Sequence, residues 1–108
     1  MVSPRRFEVW WCNFDPTVGH EIGKARPAVV VSPDEVNAGV SWFTLAPLTT
    51  GSFAYATRVP TSFGGKAATI VVDQLRCMDR RRLIRCMGTL DPDTSERLLA
   101  TRAAFFAP

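Results

Sequence analysis

Short runs rich in aromatic and β-branched residues, each cut off by turn residues, fill the first two thirds of the chain. Phe7–Cys12 (FEVWWC) is the first; it stops at Asn13, Asp15 and Pro16, and its composition predicts a strand. Trp10 and Trp11 then fall on opposite faces of that strand, so at most one of them joins the core. A long loop passes through Gly19 and Gly23 before a second strand over Arg26–Ser32 (RPAVVVS). Its unbroken apolar stretch, Ala28–Val31, predicts cover on both faces. Pro33, Asp34, Asn37 and Gly39 interrupt the pattern ahead of a third strand over Ser41–Leu48. The turn Gly51–Ala54 leads into a hairpin partner at Tyr55–Thr61, and Gly64-Gly65 turns again into a strand over Thr69–Leu75. Asp79 is placed to cap one short helical turn within Met78–Leu83, and Ile84–Thr89 is the last strand. Short strands about a dozen residues apart predict a small closed or strongly curled sheet.

The period changes at the end of the chain. Asp91 before Pro92 is a good N-cap and first-position pair, and Asp93 and Glu96 bring negative charge to a helix start. Leu98, Leu99, Phe105 and Phe106 share one helical stripe, with Arg97 and the acidic residues on the other side. A C-terminal helix is therefore expected to lie on the sheet or on a partner, with Phe105-Phe106 read first as core packing and second as a partner surface. The expected class is mainly β (α+β).

A length of 108 residues leaves room for one domain, expected to span 1–108. With 46% hydrophobic and 21% charged residues, the composition is that of a globular chain. No apolar run approaches the roughly 20 residues of a membrane span, and no signal-like segment opens the chain. No membrane association and a cytoplasmic location are expected. Cys12, Cys77 and Cys86 include no CxxC pair, which fits neither a disulfide framework nor a structural zinc site. Buried, reduced thiols are expected, and with one histidine, His20, no metal site and no cofactor. Thirteen Lys and Arg against ten Asp and Glu give +3. Only Lys24 and Lys66 are lysines, so eleven cations are arginines, the side chain suited to bidentate phosphate contacts. Arg76, Arg80, Arg81, Arg82 and Arg85 fall within ten residues, a clustering that fits a nucleic-acid face or a solvated charged turn.

Polar residues with chemical potential gather at predicted strand ends: His20, Glu21, Lys24 and Arg26 around the first loop, Thr49 and Thr50 after the third strand, Asp73 and Gln74 closing the fifth. The chain has no nucleophile elbow and no phosphate-cradling glycine motif. RNA cleavage by the substrate's own 2′-hydroxyl asks least of a protein. It needs a base, a cation for the phosphorane and a donor for the leaving oxygen. Phe53 and Tyr55, beside the Gly51 turn, are candidates for stacking on bases.

The stretch from Val9 to Ser32 (VWWCNFDPTVGHEIGKARPAVVVS) closely resembles the MazF/PemK (Kid) toxin endoribonucleases of type II toxin–antitoxin systems. The resemblance continues, in the family's order and spacing, at Pro47-Leu48-Thr49-Thr50, at Val72-Asp73-Gln74-Leu75-Arg76 and at Asp79-Arg80-Arg81-Arg82-Leu83. It implies an SH3-like barrel with added helices, acting as a homodimer on single-stranded RNA. Metal-independent cleavage would leave 2′,3′-cyclic phosphate and 5′-hydroxyl ends, and a cognate MazE-like antitoxin would block the groove. Arg26 matches the family's phosphorane-stabilising arginine, Thr49 its catalytic threonine and Glu21 its loop acid. His20 and Asp73 match positions of the PemK/Kid branch, Asp73 as proposed base. Val71 departs from that branch, which has a catalytic arginine there, so Arg26 and Thr49 are expected to be the principal pair, with Glu21, Asp73 and His20 open as base. Lys24, Thr50, Phe53, Tyr55, Gln74 and Arg76 are the expected RNA contacts. Gln74 and Arg76 have a structural alternative, fixing the loop that holds Arg26. A gyrase poison of the related CcdB fold and a catalytically silent, protein-binding barrel are the alternatives.

Overall fold

The computed structural model describes the chain except for Met1, Val2, Thr17, Glu21, Ile22 and residues 51–56. In chain order the strands are β1 (Glu8–Asn13), β2 (Ala25–Val30), β3 (Trp42–Thr49), β4 (Arg58–Phe63), β5 (Lys66–Val71), β6 (Arg76–Asp79) and β7 (Leu83–Thr89). A single helical turn, α1 (Asp34–Asn37), precedes β3, and the helix α2 (Pro92–Phe106) closes the chain. The strand order is β4–β5–β3–β2–β1–β7, with β6 pairing β3 beyond the end of β5. Because β6 runs into β7 through the 3-10 turn Arg80–Arg82, the strands β6, β3, β2, β1 and β7 curl into a small barrel. Asp79 caps that turn by accepting from the Arg81 backbone N–H at 2.9 Å, as its position predicts.

The central sheet is buried on both sides. Trp10, Cys12, Phe14, Ala28, Val30, Phe43, Leu45, Met78 and Leu83 fill the barrel interior. Val9, Val29, Val31, Ala46 and Leu48 face the opposite way, under the β4–β5 hairpin and α2, which contribute Val59, Ile70 and Leu98. The apolar stretch Ala28–Val31 is thus covered on both faces as expected, each residue at most 1% exposed. Trp10 goes to the barrel core and Trp11 to the other face. Gly64 and Gly65, both at positive φ (61° and 78°), form the tight turn between β4 and β5 that side chains disfavour.

Several expectations are corrected. The strand predicted over Thr69–Leu75 ends at Val71, and Val72–Gln74 folds into a 3-10 turn. That turn lies where β5 leaves β3 after Leu48↔Ile70 and β6 arrives at Leu45↔Arg76; between them stands Pro47, which has no N–H for a strand ladder. Strand β6 lies in a segment too short and too charged to be read as one. Of the three thiols only Cys12 is buried, and burial pushes it up to about 12; Cys77 and Cys86 are exposed. On α2, Leu98 is buried together with Thr94 and Ser95, whereas Phe105 and Phe106 are exposed, packed edge to face on each other. The predicted cap holds: Asp91 accepts from the Thr94 N–H and hydroxyl at 2.9 and 2.6 Å.

Candidate active site

The β1–β2 loop is bound shut at its neck. The Phe14 N–H donates to the Lys24 carbonyl at 2.9 Å, and the Lys24 N–H donates to Asp15 Oδ1 at 2.8 Å. Lys24 takes a left-handed conformation (φ 65°) to make both bonds. Two members of the arginine cluster complete the clamp. Arg82 donates to the carbonyls of Asn13 and Asp15, and Arg76 donates to the Phe14 carbonyl at 3.4 Å while its guanidinium lies 5.6 Å from the Phe14 ring centre. Arg80 lies over the Trp10 ring at 4.9 Å and donates to the Leu83 carbonyl, and Arg85 lies 5.9 Å from Trp11. The cluster is therefore largely structural. Arg76 and Arg82 donate to carbonyls, and Arg76, Arg80 and Arg85 lie against rings, which gathers positive charge at this end of the molecule.

The two expected principal residues stand on neighbouring strands. The β2–β3 ladder runs from Val30↔Leu45 to Ala28↔Pro47, and Arg26 and Thr49 each lie two residues past its end, Arg26 paired with Cys12 of β1. Alternation puts both on the barrel face, in line with Ala28, Val30, Phe43 and Leu45. Arg26 is half-buried and donates from Nε to the Gly23 carbonyl at 2.9 Å, which orients the guanidinium and leaves its terminal amino pair outside that bond. On its other side Thr49 pairs with Thr69 of β5.

A cleft of about 430 Å³ is lined by Phe14, His20, Pro47, Asp73, Gln74, Leu75 and Arg76, with Pro47 its contact on β3. His20, Asp73, Gln74 and Arg76, distant in sequence, thus meet at the barrel mouth with Phe14 as the buried floor. Thr49 and Thr50 border a different cleft, of about 530 Å³ on the opposite face, with Trp11, Phe63, Lys66 and Arg85, so they are not gathered with His20 and Asp73. Glu21, Phe53 and Tyr55 lie outside the described residues.

Sequence reasoning missed Arg58. It stands opposite Val71 in the β4–β5 register and forks onto Asp73, Nε to Oδ1 at 3.2 Å and Nη2 to Oδ2 at 3.3 Å. An arginine side chain therefore reaches Asp73 from the neighbouring strand, whereas Val71 itself carries no charge. Thr57 donates to the same carboxylate at 3.1 Å. Burial pushes the Asp73 carboxyl up, but hydrogen bonds from Arg58, its own backbone and Thr57, with the Arg58 charge, outweigh it and hold the group below the usual carboxylate range. Only the strand pairing reveals this, since fifteen positions separate the two residues.

The sign of the pH dependence follows. A carboxyl held lower in the folded than in the unfolded chain adds stability above its unfolded value, about 3.9, and loses it as pH falls through the folded value. Asp73→Asn is expected to lower Tm near neutrality, with the gap to the parent narrowing below about pH 4. Thermal melts of both proteins across that range check it; a gap that stays constant would mean that Asp73 is not held ionised by folding.

The fold is a small, curled, mainly β barrel closed by a C-terminal helix, with a cleft that gathers His20, Asp73, Gln74 and Arg76. The model for the PemK-like, MazF-like toxins of type II toxin–antitoxin systems matches residues 5–106, and the chain belongs to that family. It is 32% identical over 98 residues to the endoribonuclease toxin MazF of Escherichia coli K12, covering 90% of this chain and 88% of that one. Against endoribonuclease MazF9 of Mycobacterium tuberculosis it is 36% identical over 101 residues, covering 88% and 76%. The crystal structure of MazF from Deinococcus radiodurans superposes with a TM-score of 0.87 at 25% identity, covering 97% of each chain. A mycobacterial endoribonuclease solved with its cognate antitoxin shares the fold, with a TM-score of 0.81 at 19% identity over 94% of this chain and 93% of that one. No helix among the described residues is long and apolar enough to cross a membrane.

Proposed function

We propose that this chain is a toxin endoribonuclease that cuts single-stranded RNA at short sequences, acts as a homodimer and is neutralised by a cognate antitoxin. The relatives named as endoribonucleases and the neighbour solved with its antitoxin support the class. The observation that carries the reading is the match of residues 5–106 to the toxin family, with Arg26 and Thr49 carried on the neighbouring strands β2 and β3.

In the proposed reaction the 2′-oxygen attacks the adjacent phosphorus, the 2′-O–P bond forms and the P–O5′ bond breaks. The 2′-hydroxyl proton passes to a base and the 5′-oxygen gains one, leaving a 2′,3′-cyclic phosphate and a 5′-hydroxyl. Arginine keeps its charge at any working pH, so Arg26 stabilises the phosphorane through its terminal amino pair. The Thr49 hydroxyl is a poor base but a good donor, and it bonds a phosphoryl oxygen. The base comes from the loop carrying His20 and Glu21; Asp73, taken up by Arg58 and Thr57, is the weaker candidate. Arg76 and Lys24 add positive potential along the strand path, and Gln74 and Thr50 offer polar contacts to bases. With the phosphorane charge met by arginine, no metal ion takes part.

Incubation of the purified protein with mixed-sequence single-stranded RNA in excess EDTA is expected to give discrete fragments ending in cyclic phosphate. RNA left intact, or cut only after a divalent cation is restored, overturns the reading or its metal-independent form respectively.

A further inference from the structure

The Arg58–Asp73 pair differs from the other ion pairs among the described residues. Its side chains are 15% and 27% exposed, while each of the other three pairs has both side chains at least 44% exposed. Desolvating two ions is costly, and a plain hairpin contact would not need them. Asp73 stands in the cleft wall, where the 3-10 turn Val72–Gln74 replaces the end of a strand, and Arg58 reaches it from β4. Both carboxylate oxygens are held by a planar fork, the geometry that fixes orientation as well as charge.

Other charges around the turn are directed elsewhere. Arg76, from β6, is bound to the Phe14 carbonyl; His20 approaches from the β1–β2 loop; and β3 contributes the uncharged Pro47. On α2, which packs against the turn, Arg97 reaches the Pro60 carbonyl, Thr94 and Asp93, and Arg102 lines a groove with Leu75, Arg76 and Phe106.

We propose that Arg58 is a positioning residue of the RNA-cleaving centre, holding Asp73 as a fixed, ionised hydrogen-bond acceptor in the wall of the cleft shared with His20. An ionised carboxylate only accepts, so Asp73 held this way receives an O–H or N–H of the RNA and does not compete for the proton of the attacking hydroxyl. The inference rests on the ribonuclease reading. It assigns to Arg58, on β4, the charge that Val71 lacks.

The test compares pH profiles of kcat/KM for the parent, Arg58→Gln, Arg58→Lys, Asp73→Asn and the double variant, using a short RNA oligonucleotide. Losing an opposite charge at hydrogen-bond range lets the carboxyl titrate at least about one pH unit higher. Arg58→Gln should therefore move the acid limb of the profile up by about that much, Arg58→Lys should restore part of it, and Asp73→Asn should abolish the movement in the Arg58→Gln background. A limb that stays in place, a fall in rate equal at every pH, or a movement that persists without Asp73 each overturns the proposal. If Arg58→Gln does not fold, carbon NMR of the Asp73 carboxyl in the parent and in Arg58→Lys decides it: a higher titration in the lysine variant supports the clamp, an identical one overturns it. A parent protein that leaves RNA intact would instead defeat the ribonuclease reading, and the NMR titration would still report on the pair.

Discussion

Arg26→Ala lowers kcat for RNA cleavage by about 10²–10³-fold, the cost of removing one preorganised donor from a developing negative charge. The loss falls mainly on kcat, since the phosphorane carries charge that the ground-state phosphodiester does not. Folding is little affected: Arg26 is half-buried at the end of β2, and the bond it forfeits is one N–H to the Gly23 carbonyl. Arg26→Lys recovers only part of the rate, because an ammonium keeps the charge without the planar fork. Single-turnover cleavage with each variant, alongside circular dichroism, separates chemistry from stability. An alanine variant that cleaves within a few fold of the parent would remove Arg26 from the mechanism.

Phe14→Ala has the second large effect, on stability and cleft together. Its ring is fully buried among Trp10, Cys12, Val30 and Phe43, so its loss costs about 3–5 kcal/mol in a domain whose whole stability is about 5–15. The same ring floors the cleft and supports the Arg76 guanidinium, which in turn grips the loop neck at the Phe14 carbonyl. Urea unfolding should show the midpoint falling steeply. Cleavage at temperatures where the variant is still folded should be weakened as well. A variant with parental stability would mean that the site collapses without a cavity. A destabilised variant with full activity would detach Phe14 and its loop clamp from the site.

Much of the architecture was legible along the chain because it rests on local rules. Alternation and turn residues located β1, β2, β3 and β7; Asp91-Pro92 located the start of α2; and Asp79 located the turn Arg80–Arg82. The motif around Arg26 and Thr49 named the expected principal pair, whose strands β2 and β3 are neighbours. Where local rules misled, a partner had intervened. Gln74 and Asp73 left the strand pattern because β5 parts from β3 at Pro47, and β6 formed in a charged segment because β3 offered it an edge. The Phe105-Phe106 stripe read as core, yet the helix buries Thr94, Ser95 and Leu98. A helical stripe states which residues share a face; how much of that face the sheet covers depends on where the helix docks.

The arginine cluster shows the same division in chemical form. Composition told that positive charge gathers between Arg76 and Arg85, but not that Arg76 and Arg82 spend their hydrogen bonds on the loop carrying His20. Nor could it tell that Arg58 reaches Asp73. Periodicity, capping and motif spacing are properties of neighbouring residues, and from them the chain alone determined most of its strands, the start of its terminal helix and the candidates for its reactive side chains. Register, strand exchange at Pro47 and the clamps on the cleft depend on which distant segments share a barrel. Only the closed tertiary structure decided them, because a hydrogen bond between remote residues has no energy until the chain has brought them together.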